Sequence, residues 1–210
     1  MTDAPRLILG SSSKWRSEIL ASLGVGAFTT MVPDIDEKAI RHEDASTMVQ
    51  LIASGKMDAI LAQLPPSPAA VVITSDQVIV VDGTVREKPE NAEQARRFLA
   101  SYSAGQPAEC FVGVVVHSTA TGQRVTACAK ATQWFKPIPA DAVERLIEQG
   151  DVLWCAGGFC VEHMEEFELK RDGEIETVRG LPKTLTLDLL AQVGFVPPPA
   201  AQAQPSEGNV

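Results

Sequence analysis

Apolar residues fall into short runs and four-residue repeats, a pattern that predicts strands connected by helices. A buried strand is predicted over Arg6–Gly10 and a helix over Trp15–Leu23, where apolar residues recur four positions apart. A longer helix is predicted over Asp44–Leu64, because Pro65 cannot continue it. A second buried strand is predicted over Ala70–Thr74. The first third of the chain therefore consists of strand–helix units.

Two turn sequences in the middle of the chain predict β-hairpins. Asp82-Gly83 and Thr121-Gly122 each separate two runs that are rich in β-branched residues. Further helices are predicted over Asn91–Ser101, Pro139–Gln149 and Pro182–Val193. Strand–helix units combined with hairpins predict an α/β fold with a mixed β-sheet.

Length and composition fit one domain. The 210 residues, 45% of them hydrophobic and 21% charged, are enough to bury a substantial core. We expect residues 1–196 to form this domain and the proline-rich residues 197–210 to be disordered. No segment approaches the roughly 20 apolar residues that span a bilayer, and the N-terminus lacks the features of a signal peptide. We therefore expect a cytoplasmic protein without membrane association.

Charge and cysteine spacing narrow the classes of ligand. The net charge of -9 argues against a broad surface for a nucleic acid polymer, so an anionic ligand needs a local cluster of basic groups. The four cysteines form no CxxC pair and the three histidines are far apart in sequence, which argues against zinc and against a disulfide framework. Buried free thiols are expected instead. The oligomeric state is not revealed, and a homodimer is compatible with the sequence.

Polar residues interrupt the apolar pattern at two strand ends. In "GSSSKWR" the serines Ser11–Ser13 and Arg16 lie at a strand-to-helix turn, where a helix N-terminus can bind phosphate. Serines also cap helices without any ligand. Asp76 and Gln77 break a long apolar run at the predicted end of the second strand. A cleft is the favoured environment for this carboxylate, since no local partner would pair it in a dry core; a turn-capping aspartate is the alternative.

Two lysines and one glutamate also stand out. Lys56 lies within the apolar stripe of the long helix, where it either extends to solvent or contacts a ligand. Lys88 follows a strand in "REKP", and Glu162 follows the tight turn marked by Gly157-Gly158. Two lysines, Arg16 and a helix N-terminus together are what a polyphosphate requires in an acidic protein.

Taken together, these segments resemble the Maf family of nucleoside triphosphate pyrophosphatases. The ordered matches are "SSSKWR", "DIDEKAI", "ASGKMDAI", "TSDQV", "EKP", "CAGGF" and "RGLPKTL", and they extend over nearly the whole chain between Leu7 and Gly194. The resemblance implies a two-lobed α/β structure with a mixed sheet flanked by helices and a central cleft. Lys14 stands where the family usually has proline.

The resemblance also implies a reaction and the residues that perform it. The α–β phosphoanhydride would be hydrolysed to a nucleoside monophosphate and pyrophosphate with a divalent cation, Mg²⁺, Mn²⁺ or Co²⁺. Asp76 would accept the proton of the attacking water, and Glu37 and Asp76 would hold the metal. The residues implied to bind the triphosphate and neutralise its charge are Ser11, Ser13, Arg16, Lys56 and Lys88.

Three residues indicate which base is recognised. Trp15, Gln77 and Glu162 resemble the branch of the family that hydrolyses 7-methyl-GTP to 7-methyl-GMP. The base of 7-methyl-GTP is positively charged and would stack on Trp15, while Glu162 and Gln77 would hydrogen-bond to its edge. A core-packing role for Trp15 is the alternative. Two other functions remain open: a dTTP/UTP pyrophosphatase of the same family, and a nucleotide-binding cell-division arrest factor with little turnover.

Overall fold

The computed structural model describes residues 5–197, which form a seven-stranded sheet with helices packed against it. The predicted disorder of residues 197–210 therefore concerns, apart from Pro197, residues outside the described part of the chain. No helix within residues 5–197 is both long enough and apolar enough to cross a membrane.

The elements follow the predicted order closely. They are β1 (Arg6–Gly10), α1 (Lys14–Ser22), β2 (Phe28–Met31), α2 (Ala45–Gln63), β3 (Ala70–Val81), β4 (Thr84–Arg86), α3 (Ala92–Ser103), β5 (Ala108–Ser118), β6 (Arg124–Phe135), α4 (Ala140–Gln149), β7 (Glu168–Asp172), α5 (Ile175–Val178) and α6 (Lys183–Gln192). Short 3₁₀ turns lie at Glu37–Ala39 and at intervals across residues 151–167. Both predicted hairpins are present, and Asp82 and Gly83 take the positive φ angles of 48° and 70° that a tight hairpin turn requires.

The strand order β2-β1-β3-β5-β6-β7, with β4 paired to β3, confirms the predicted α/β fold with a mixed sheet. Strand β1 runs parallel to β2 and β3, whereas β3, β5, β6 and β7 pair antiparallel in succession. The sequence pattern missed β2 and β7. Both are short edge strands whose residues are exposed or half-buried, so neither presents an alternating apolar face.

The predicted end of the second buried strand at Thr74 is wrong. Strand β3 continues to Val81, and Asp76 and Gln77 lie within it, paired in register with Gly113 and Val112 of β5. The backbone hydrogen bonds between strands do not depend on the side chains. A charged side chain therefore need not end a buried strand when another residue pairs with its charge. Here the partner comes from α2, which sequence proximity could not reveal.

Helix α2 packs directly on the centre of the sheet. Gly113 permits this approach, because a Cβ at that position would lie 2.6 Å from the carbonyl carbon and oxygen of Val49. The Thr74 hydroxyl also donates a 2.7 Å hydrogen bond to the Ala53 carbonyl, which links β3 to α2. These contacts fix the side chain of Lys56 against the middle of β3.

Candidate active site

One open cavity of about 1160 Å³ collects residues from the β1–α1 turn, α2, β3, β4 and the segment 151–162. All ten site residues predicted from the sequence line it: Ser11, Ser13, Trp15, Arg16, Glu37, Lys56, Asp76, Gln77, Lys88 and Glu162. The fold thus brings together residues from six separate sequence segments. Lys88 is exposed at its place on the cavity wall.

Lys56 is the central charge of this cavity. Its Nζ donates a 2.7 Å hydrogen bond to Asp76 Oδ1 and lies 3.1 Å from Glu37 Oε1. Lys56 and Asp76 are each only 6% exposed, so this lysine does not extend into bulk solvent as a surface residue would. A buried ion pair costs desolvation energy that its mutual attraction offsets only in good geometry. The arrangement therefore holds an ammonium group and two carboxylates together beneath the cavity.

The two carboxylates also fit a hard divalent cation. Asp76 and Glu37 converge on the same ammonium group, so their oxygens lie close together although the residues come from β3 and from the turn before α2. Carboxylate oxygens are the ligands that Mg²⁺ and Mn²⁺ prefer. This donor set contains no sulfur and no imidazole, so it would suit Mg²⁺ or Mn²⁺ better than a softer ion.

The turn formed by Ser11–Ser13 precedes α1 and caps its N-terminus. Ser13 is the N-cap residue, and its Oγ accepts a 3.4 Å hydrogen bond from the Arg16 amide. The buried Ser11 accepts a 3.1 Å hydrogen bond from the Ser13 amide through its own Oγ. The serines therefore cap the helix while the helix N-terminus lines the cavity, so capping and phosphate binding are compatible at this turn.

Arg16 has a structural role that the sequence did not predict. Its Nε donates to the Gly180 carbonyl at 3.0 Å and its Nη1 to the Ser75 carbonyl at 2.9 Å. Burial lowers the pKa of Arg16, and the charges of Asp76 and Glu37 oppose that effect. Its Nη2 makes no hydrogen bond within residues 5–197. Arg16 thus joins β3 to the segment before α6 and keeps one nitrogen for a ligand.

The face of Trp15 already contacts a positive charge. The ammonium of Lys14 lies 4.4 Å from the centroid of the Trp15 ring. Lys14 is also 3.9 Å from Asp151 across the cavity rim. Trp15 is half-buried rather than sealed in the core, so part of its ring is available for stacking.

Gln77 and Glu162 are already held by neighbours. The Gln77 amide donates a 2.8 Å hydrogen bond to the Val178 carbonyl. Glu162 accepts a 2.5 Å hydrogen bond from Arg179 Nε at one oxygen and a 3.1 Å hydrogen bond from the Cys160 thiol at the other. The Gln77 side-chain nitrogen also contacts the Thr177 carbonyl at 3.4 Å, so direct donation from Gln77 to a base would replace this longer contact while the bond to Val178 persists. Each Glu162 oxygen can accept a further hydrogen bond.

Several cavity residues were not predicted. Arg179 binds both Glu162 and Glu18, the latter at 3.0 Å, and it stands beside Gly180 in the quoted "RGLPKTL" segment. Opposing carboxylates outweigh burial and raise the pKa of Arg179. Trp154 at the rim is 70% exposed, which is unusual for tryptophan. Arg41 and Arg86 also line the wall, and no sequence pattern distinguishes them from surface arginines.

Comparison with known proteins finds similarity over nearly the full chain. The family model described as Maf-like protein matches residues 6–193. A protein of Dictyostelium discoideum named 7-methyl-GTP pyrophosphatase is 50% identical over 198 residues, which cover 92% of this chain and 99% of the relative. Proteins with the same name from Idiomarina loihiensis and Pseudomonas aeruginosa are 34% and 31% identical, covering 91% and 90% of this chain and 96% and 97% of the relatives.

Proposed function

The chain belongs to the Maf family, and from this membership we propose that it hydrolyses 7-methyl-GTP to 7-methyl-GMP and pyrophosphate as a free nucleotide in the cytoplasm. The observation that carries the proposal is the buried Lys56–Asp76 pair in the same cavity as Trp15, Gln77 and Glu162. The names of relatives up to 50% identical to the chain support the same substrate.

Asp76 is the proton acceptor in this proposal. A water molecule adds its oxygen to the α-phosphorus, its proton passes to the Asp76 carboxylate, and the bond to the β-phosphate breaks with its electron pair on the departing pyrophosphate. Lys56 holds Asp76 Oδ1 at 2.7 Å, which leaves Oδ2 to orient the water. Because the pair is buried, the carboxylate has few alternative positions.

Basic groups stabilise the phosphates. Lys88, Arg16 Nη2 and the N-terminus of α1 provide positive potential where the triphosphate would lie, in a protein whose net charge is -9. Glu37 and Asp76 would hold the divalent cation, which when bound supplies further neutralisation of phosphate charge. Ser11 and Ser13 would contribute their hydroxyls at the same turn, since their backbone amides donate to the Leu9 carbonyl and to Ser11 Oγ.

Trp15 and Glu162 distinguish the base. A cationic 7-methylguanine would take the place of the Lys14 ammonium on the Trp15 face, 4.4 Å from the ring centroid. Glu162, held by Arg179, would accept the N–H donors on the guanine edge, a pattern that thymine and uracil do not offer. The rim residue Arg179 is thus a positioning residue for Glu162.

A nucleotide panel tests this function. Pyrophosphate release is measured for 7-methyl-GTP, GTP, dTTP, UTP and CTP with Mg²⁺, Mn²⁺ and Co²⁺ in turn. The reaction is repeated in water labelled with heavy oxygen, and the nucleotide product is identified by mass spectrometry. We expect the highest kcat/KM for 7-methyl-GTP and one heavy oxygen in 7-methyl-GMP. A preference for dTTP or UTP overturns the substrate assignment. Binding without turnover of any nucleotide would favour the arrest-factor alternative.

A further inference from the structure

Three potential metal ligands meet beside the cavity, apart from Asp76 and Glu37, and two of them, Asp151 and Cys160, line it. The donor atoms of Asp151, Cys160 and His163 lie within 4.8 Å of one another. His163 Nε2 is 2.8 Å from Asp151 Oδ2, so the imidazole is already oriented towards the carboxylate. The 3₁₀ turns at Asp151–Trp154 and Val161–His163 bring these residues together across a gap of twelve positions.

One thiol belongs to this cluster. Cys160 is a free thiol that lines the cavity together with Asp151, and it donates to Glu162 Oε2 at 3.1 Å. The group therefore offers one sulfur, one imidazole nitrogen and one carboxylate oxygen beside the cavity.

We propose that Asp151, Cys160 and His163 bind one divalent ion of intermediate softness, with Zn²⁺ the best match. Zinc binds thiolate, imidazole and carboxylate ligands in tetrahedral geometry, with three protein ligands where the fourth position stays open; its bonds of roughly 2.0–2.3 Å place ligand atoms about 3 to 4 Å apart. The observed cluster requires only a small contraction to reach this spacing. The site differs in chemistry from the all-carboxylate pair Asp76 and Glu37, which suits harder ions.

The position of the site predicts an effect on nucleotide binding, a consequence that rests on the proposed function. Coordination of Cys160 removes the hydrogen bond it donates to Glu162. Coordination of Asp151 removes the acidic neighbour 3.9 Å from Lys14, leaving that ammonium free to stay on the face of Trp15. Both changes disfavour the cationic base, so Zn²⁺ raises the KM for 7-methyl-GTP.

Cobalt absorption tests binding independently of activity. Co²⁺ is titrated into the full chain after the thiols are reduced and the reductant is removed under nitrogen. Cobalt bound to thiolates gives intense charge-transfer bands and strong visible bands, whereas cobalt bound only to oxygen absorbs weakly. We expect thiolate bands at one Co²⁺ per chain that Zn²⁺ abolishes. The absence of these thiolate bands overturns the site.

Matched variants locate the bound ion. Cys160→Ser and His163→Ala should each weaken Co²⁺ binding by at least about tenfold, whereas Cys110→Ser and Asp76→Asn should retain the thiolate bands. His163 is exposed, so its variant keeps the test decisive if Cys160→Ser does not fold. Thiolate bands that survive in both ligand variants overturn the assignment.

Enzyme kinetics test the consequence separately. Zn²⁺ should raise the KM for 7-methyl-GTP in the wild-type chain and leave it unchanged in His163→Ala. If cobalt binds as expected but Zn²⁺ leaves KM unchanged, the metal site stands and its effect on the base is wrong. If no nucleotide is hydrolysed at all, the proposed function fails while the cobalt result remains valid.

Discussion

Lys56 Nζ donates a 2.7 Å hydrogen bond to Asp76 Oδ1, and this buried pair joins α2 to the centre of β3. The pair explains why a strand of otherwise apolar residues tolerates a carboxylate at its midpoint. Loss of one partner would leave a buried charge without its counterpart, which is destabilising. A change to asparagine keeps the shape of the side chain and an oxygen that accepts from Lys56, and Glu37 at 3.1 Å remains a counter-charge for the ammonium when the charge of Asp76 is removed.

Asp76→Asn tests the role of the carboxylate as proton acceptor. The amide oxygen can still accept the hydrogen bond from Lys56, so the fold should persist while kcat for 7-methyl-GTP falls by about 10²–10⁴-fold. Steady-state pyrophosphate release measures the rate, and thermal unfolding checks the fold. Asp188→Asn, at an exposed position on α6, is the control and should leave kcat unchanged. A folded Asp76→Asn protein with wild-type kcat contradicts the proposed role.

Trp15→Ala tests cation stacking on the indole face. A stacking contribution of about 1–2 kcal/mol corresponds to a decrease of roughly 5- to 30-fold in kcat/KM for 7-methyl-GTP relative to GTP, whose base is uncharged. Trp134→Ala is a matched control, because Lys170 Nζ lies 5.0 Å from that ring centroid and Trp134 is not a cavity residue. Equal losses for 7-methyl-GTP and GTP in Trp15→Ala would exclude recognition of the charge.

Arg179→Met tests whether Glu162 must be held in place. Without the hydrogen bond from Arg179, Glu162 gains freedom, and we expect the KM for 7-methyl-GTP to rise by about tenfold with little change in kcat. Arg171→Met is the control, since its pair with Glu168 on β7 has side-chain exposures of 25% and 29%, the same as those of Arg179 and Glu162. Arg179→Lys should restore part of the affinity. A fall in kcat alone would contradict a positioning role.

Local sequence signals were sufficient for most of the fold. Asp44 caps α2 by accepting the Thr47 amide, as the predicted helix start requires, and Gly150 ends α4 with a φ of 85°. The error at Thr74 arose from a contact between residues 20 positions apart, the Lys56–Asp76 pair. The edge strands β2 and β7 were not predicted, because half-exposed strands have no repeated apolar face.

The identity of the cavity residues was accessible from the sequence, but their contacts were not. Polar breaks in apolar segments and the family motifs identified the residues that line the cavity. The hydrogen bond from Arg16 to the Gly180 carbonyl spans 164 positions, and no local pattern encodes it. The meeting of Cys160 and His163 with Asp151 likewise follows from irregular turns, whereas sequence spacing argued against a zinc site.

Gly113→Ala tests the close packing that places Lys56 over β3. The added methyl group would overlap the Val49 backbone at 2.6 Å, and rigid helix backbone cannot move aside without cost, so we expect a loss of about 1–3 kcal/mol in unfolding free energy. Gly55→Ala on α2 is the contrast: its Cβ would meet the flexible side-chain ends of Ile40 at 3.1 Å and Ile35 at 3.5 Å, and alanine favours helix by up to about 1 kcal/mol. Urea unfolding measures both. Equal stabilities for the two variants would contradict this account of α2 packing.

His117 on β5 should make the fold sensitive to mild acid. Burial and the nearby Arg124 lower the pKa of His117 below its ordinary value of 6.5, against a smaller opposing effect of Asp58, and its Nδ1 has no hydrogen-bond partner within residues 5–197. The neutral form is therefore favoured in the folded state. The folded state has its full stability above pH 6.5 and loses part of it as the pH falls through the lowered pKa of His117, because the unfolded chain then binds more protons than the folded chain.

Urea unfolding at about pH 7.5 and about pH 5.5 should show a smaller decrease in stability for His117→Gln than for the wild-type chain. His42→Gln, at an exposed position before α2, serves as the control and should retain the wild-type decrease. An unchanged decrease in His117→Gln would assign the acid sensitivity to other groups.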